Sequence, residues 1–186
     1  MGEFAKNWSA EILTAAPMIA PARQHVYPQR VAGEEDALAR GAMLLMVRSA
    51  AGGTFMATCA RGFASKEMPT GVLACPNADE MCAMAGGYAY MVDVTRPESC
   101  KQVELRPVVE VHVAVEAGLL LFVGFHGMVA WDAEGERWRS AKLSDEGVRI
   151  TEIADGLVRG VGWRMMTDRE VSFEVDLKSG AVIQSS

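Results

Sequence analysis

Three histidines, four cysteines and four tryptophans are the residues of this 186-residue chain from which chemistry would have to start. A histidine serves as general base near neutral pH when a partner orients its ring. His25 stands in a proline-bearing segment, His112 lies two residues after Glu110 in an alternating run, and His126 closes the apolar run Leu119–Phe125 just before Gly127. Strand ends carry functional groups and a glycine admits a close neighbour, so His126 is the histidine to watch. Sequence cannot place Asp132, the nearest candidate partner, beside it. The chain holds no Gly-x-Ser-x-Gly elbow, no Ser-x-x-Lys and no histidine adjoining a cysteine. No catalytic set is therefore assigned.

Metal and phosphate chemistry fare no better. Cys75 and Cys82 are separated by more residues than a zinc knuckle allows, and Cys59 and Cys100 stand alone. The intervening Pro76-Asn77-Ala78-Asp79-Glu80 offers acidic ligands, but small apolar side chains at the ends of neighbouring strands explain the pair equally. A Cys75–Cys82 disulfide would need an oxidising compartment. Gly86-Gly87 and Gly160-x-Gly162 do not link a strand to a helix, as a dinucleotide cradle must, and read as turns or bulges. No cofactor is expected.

Trp131, Trp138 and Trp163 fall at or near expected strand ends, with Arg137, Arg139 and Arg164 close by in sequence. Stacked on one rim, such rings bind a sugar or a peptide, and arginines capture carboxylates. The plainer alternative is that they close the core. The candidate ligand-binding residues are thus His126, Trp131, Trp138, Trp163 and Arg139. Met165-Met166 adds an adaptable contact surface or a gap filler.

What must position these residues is sheet. From Val109 to Val115 valines alternate with Glu110, His112 and Ala114, a period of two. Glu116-Ala117-Gly118 reads as a turn, and Leu119–Phe125 as a strand covered on both faces. Met128–Trp131 and Arg137–Ser140 flank the turn Asp132–Gly135. Val148–Ile153 and Leu157–Trp163 flank Asp155-Gly156, a hairpin signal. Val171–Leu177 and Ala181–Ile183 flank Lys178-Ser179-Gly180. From Val108 onward the expectation is an antiparallel meander. Earlier, Met43–Arg48 and Thr54–Ala60 flank Gly52-Gly53, and Gly71–Cys75, Met81–Ala85 and Tyr88–Val94 are short strands. Glu34–Leu45 is the one helix expected, weakened by Gly41. Residues 1–32, with prolines at 17, 21 and 28, read as an extended arm, leaving 33–186 as a single β domain.

A repeat runs through this pattern. Tyr88–Asp93, Gly127–Asp132 and Val171–Asp176 each end an apolar strand in aspartate before a turn, at a spacing close to a four-stranded propeller blade. An aspartate there accepts backbone N–H groups and closes the turn. On these residues, over about 85–186, the chain resembles β-propeller repeat proteins, and Trp131-Asp132 spells the dipeptide of one such family. The Gly-His signature of that family's repeat is missing. The resemblance implies an all-β antiparallel meander folded as a propeller-like stack of small sheets; a β-sandwich or barrel is the alternative. About four blades would fit, and an open stack would leave an edge to be covered.

Composition sets the outer bounds. Half of the residues are hydrophobic and 24 acidic residues outnumber 18 basic ones, net −6, with no basic cluster for a phosphate backbone. No apolar run is long enough to span a membrane as a helix. The segment Ile12–Ala22 lacks the positive lead of a secretory signal. The expectation is a cytoplasmic, non-catalytic β-module acting through self-association, as a homodimer, or through a protein partner, without nucleic acid or membrane. The alternatives are a small binder of sugar or carboxylate on the tryptophan rim and a hydrolase-like enzyme built around His126.

Overall fold

The computed structural model describes residues 2–28 and 37–185, and sixteen β-strands lie among them. They form four sheets of four strands, each an open ladder, so none closes as a barrel. The chain divides into two compact units, Phe4–Pro107 and Val108–Ser186 with Met1–Glu3, each holding two of the sheets. A single domain from residue 33 was the expectation.

In Phe4–Pro107 the first sheet contains β1 (Trp8–Leu13), β2 (Gln24–Tyr27), β3 (Ala42–Ser49) and β4 (Thr54–Ala60) in the order β1-β3-β4-β2. β1 is antiparallel to β3, whereas β2 lies parallel to β4. The stretch expected as an arm therefore supplies both outer strands of this sheet. The helix expected over Glu34–Leu45 is corrected: residues 34–36 lie outside the described residues, Ala37–Arg40 is one 3-10 turn, and Ala42–Leu45 belongs to β3. Gly41 breaks the run at φ +90°. Beyond it Met43, Leu45 and Val47 alternate into the core, and that two-residue period overrides the helical propensity of the preceding alanines and leucine.

The second sheet is the meander β5 (Gly71–Ala74), β6 (Glu80–Ala85), β7 (Tyr88–Asp93) and β8 (Cys100–Gln102). Leu45, Val47 and Phe55 of the first sheet share one apolar cluster with Tyr88, Tyr90 and Val92 of the second. Burial of such side chains contributes roughly 1.5–3 kcal/mol each.

The unit from Val108 is two meanders. One is β9 (Glu110–Ala114), β10 (Leu119–Val123), β11 (Met128–Trp131) and β12 (Glu136–Arg139); the other is β13 (Val148–Ala154), β14 (Leu157–Arg164), β15 (Arg169–Asp176) and β16 (Val182–Ser185). Every residue of β10 is buried, as its unbroken apolar run requires. Asp155 and Gly156 take φ 52° and 74°, the two left-handed residues of a tight hairpin turn. Leu121, Ala130 and Trp138 of the first meander share their core with Val158, Phe173 and Val175 of the second.

Candidate functional site

The tryptophans expected on a rim go to different places. Trp138 is only 8% exposed, and its Nε1 donates to the Leu177 carbonyl at 2.9 Å. Gly180 lies against its ring so closely that a Cβ there would fall 2.6 Å from the indole. Trp131 is 4% exposed. Ala130 pairs with Trp138 across the ladder and shares its core cluster, so Trp131, the next residue, faces the opposite side of the sheet. Arg139 is exposed and bonds Glu136 at 3.0 Å. These three do not converge on Trp163, which is half-buried on β14 in the other meander.

Trp163 and His126 are brought together, through a serine that carried no signal in the sequence. His126 sits in the turn between β10 and β11. Its carbonyl accepts from the amides of Leu143 (2.8 Å) and Ser144 (3.4 Å), and its Nδ1 lies 3.3 Å from the Ser144 carbonyl. Ser144 is the one charged or polar side chain that is fully buried among the described residues. Its Oγ accepts from the amides of Trp163 (2.7 Å) and Glu146 (3.1 Å) and donates to the Trp163 carbonyl (3.2 Å). Asp145 continues the seam: its amide donates to the Trp163 carbonyl and its Oδ2 accepts from the Met165 amide at 2.9 Å. The bond from Lys142, followed by that from Met165, holds the Asp145 carboxyl below its ordinary value.

Two glycines let the loop 140–147 lie this close. A Cβ on Gly127 would meet Ser140 Oγ at 2.8 Å, and one on Gly162 would meet the Leu143 carbonyl at 2.6 Å. The neighbour that Gly127 admits is the Ser140 hydroxyl, with the Ala141 carbonyl behind it at 3.3 Å. Around this seam stand exposed apolar side chains: Phe125 (42%) beside His126, and Met165 (66%) and Met166 (99%) after β14. His126, held by a backbone carbonyl, orients a turn; no carboxylate is bonded to it among the described residues.

The three repeat aspartates do what their chemistry suggests. Asp93 Oδ1 accepts from the Thr95 amide and hydroxyl and from the Arg96 amide, Asp132 Oδ1 from the amides of Glu134 and Gly135, and Asp176 Oδ1 from the Ser179 amide and hydroxyl. Each stands at the end of the third strand of its meander, β7, β11 and β15. Burial raises the Asp93 carboxyl, and the bonds from Thr95 and Arg96 outweigh it, leaving a net lowering; the Ser179 bonds lower Asp176. Asp132 and Asp176 also line a cavity of about 660 Å³ with Arg137 and Lys178.

All four cysteines are free thiols. Burial, with Glu80's charge adding to it, pushes Cys100 up to about 12, and burial raises the other three as well. Among the described residues no group of three or more His, Cys, Asp or Glu is disposed to hold a metal ion, and no helix is long and apolar enough to cross a membrane.

These features define an all-β protein of four blade-like sheets, propeller-like in strand number and, for three of them, in meander order. No protein-family model matches the chain, and no curated protein matches it. Among solved structures it is similar to the N-terminal domain of Nup159, with 11% identity and a TM-score of 0.37 over 99% of this chain and 51% of that one. The chain thus spans about half the length of that structure.

Proposed function

We propose that the chain is a non-catalytic assembly module that associates with a second copy of itself through the rim formed by Phe125, Met165 and Met166. The observation that carries this reading is the pairing of two exposed methionines, Met165 and Met166, with a rigid base. Met165 is tied to Asp145, and the seam behind it runs through Ser144 to His126. Exposed apolar side chains lose water contact on association, and methionine adapts to an imperfectly matched partner surface. Because the base is already ordered, little conformational entropy is lost on docking. The net charge of −6 repels a second copy at long range, so added salt strengthens the contact by screening.

Light scattering coupled to size exclusion tests this reading. At roughly 100 μM chain, affinities of micromolar order give dimer. The Met165→Ser/Met166→Ser double variant should run as monomer, and should melt with the unmodified chain once both are diluted to monomer. A monomer for the unmodified chain at that concentration, at both low and high salt, overturns it.

A further inference from the structure

We propose that the cavity bordered by β2 and β8 in the Phe4–Pro107 unit binds a small molecule through a neutral amide group. This site shares no residue with the methionine rim. It encloses about 560 Å³, a size usual for small-molecule sites, and it lies where the outer strands of two sheets approach: His25 and Tyr27 from one side, Cys100 and Gln102 from the other, with Tyr90 and Glu98 completing the wall.

The argument rests on which polar groups there are already engaged. Tyr27 Oη donates to the Pro97 carbonyl at 2.5 Å and Tyr90 Oη to the Ala60 carbonyl at 2.8 Å, so both rings act as apolar wall. Cys100, deprotonating only at about 12, is a neutral thiol. By contrast His25 Nε2 and Gln102 Nε2 are sealed from water and have no hydrogen-bond partner among the described residues. A buried donor without an acceptor is costly, and native structures keep few of them. Two on one cavity point to an occupant that supplies acceptors.

The chemistry of the wall narrows that occupant. The Gln102 amide nitrogen can only donate, and His25 Nε2 donates in the tautomer that carries its proton there, so an occupant that satisfies both presents an acceptor. A carboxylate would set its charge against Glu98 and give up its hydration to uncharged donors. An amine could pair with Glu98 but would leave both orphaned nitrogens without an acceptor. An amide offers its carbonyl to the two nitrogens and its own N–H to Glu98. Neither nitrogen reaches the cavity surface as placed, so binding turns the Gln102 end group and the His25 ring toward it, terminal rotations that leave β8 and β2 in place. Because an amide both donates and accepts, the match survives whichever way that end group turns.

Three probes with one ring and different head groups separate these cases: benzamide, benzoate and benzylamine. Each is titrated into the full chain while the His25 ring resonances are followed, assigned by elimination with His112→Gln and His126→Gln. Benzamide should bind with roughly millimolar affinity, as expected for a ligand of so few atoms, and shift His25. The other two should bind at least about tenfold more weakly, the loss expected for one or two unmet hydrogen bonds. Gln102→Leu should weaken benzamide about tenfold and leave the melting temperature unchanged or higher, since it removes an orphaned donor. An unmoved His25, equal binding of the three probes, or a Gln102→Leu protein with full benzamide affinity overturns the proposal. Should that variant not fold, the three-probe comparison on the unmodified chain decides.

Discussion

Ser144 Oγ holds two backbone amides from separate segments and returns a proton to the Trp163 carbonyl, so its removal orphans donors on both sides of the seam. Ser144→Ala is expected to destabilise by about 1–3 kcal/mol and to change the near-ultraviolet circular dichroism of Trp163. An unaltered melt and spectrum would show that water replaces the hydroxyl freely. Gly162→Ala should be worse, because its Cβ would fall 2.6 Å from the Leu143 carbonyl and 2.8 Å from Ser144 Cβ. Backbone cannot yield as a side-chain tip does, and a loss above about 2 kcal/mol is expected in chemical denaturation. His126 and Trp163 were legible as candidates because their types are rare in the chain and they sit at strand ends. Ser144 was not, since a serine in a loop looks alike whether buried or wet. Nor does sequence pair His25 with Gln102: their proximity comes from β2 being an outer strand of one sheet and β8 of the next.

The elements that announced themselves were those with buried faces. Asp155-Gly156, the unbroken run of β10 and the alternation along β15 each follow from side chains that must be inside or a backbone that must turn, and both leave a mark on residue type. The strands β1, β2 and β8 left no such mark. Trp8–Leu13 mixes Glu11 with Ile12, Gln24–Tyr27 has one buried residue, and Cys100–Gln102 has three residues, one of them lysine. Outer strands are held on one side by ladder hydrogen bonds that any residue type but proline can make, so their sequence is weakly constrained. The aspartate repeat lay between these cases. It was visible as spacing, and its meaning came from the shared place at the end of each third strand. Asp176→Ala should lower the melting temperature and Asp176→Asn should restore part of the loss, because the amide oxygen can still accept from Ser179. Equal melts for the two variants would remove that role.

For the molecule as a whole, the lowered carboxyls of Asp93, Asp145 and Asp176 set the acid limit of stability. Each has a folded-state pKa below its unfolded value of about 3.9. Its contribution is therefore complete above that value and disappears as pH falls through the folded one. Melting temperature is expected to be level from about pH 7 to pH 5 and to drop below about pH 4. A steady decline beginning above pH 6 would assign the acid limit to other groups. Asp176 is lowered mainly by the neutral Ser179 bonds, so its share should survive added salt better than that of exposed ion pairs such as Lys142–Asp145 and Arg149–Glu170.

The strand order β1-β3-β4-β2 also bears on synthesis. Trp8–Leu13 and Gln24–Tyr27 leave the ribosome before either strand they pair with exists, and β1 must wait until Ser49 has been added. At ~5–20 residues per second that delay is about 2–7 s, during which Trp8, buried in the finished unit, has no sheet to lean on. The meanders from β9 onward face no such interval, since each new strand finds its partner already made. A nascent chain that has not yet reached β4 therefore carries β1, β2 and the apolar face of β3 without the sheet that covers them.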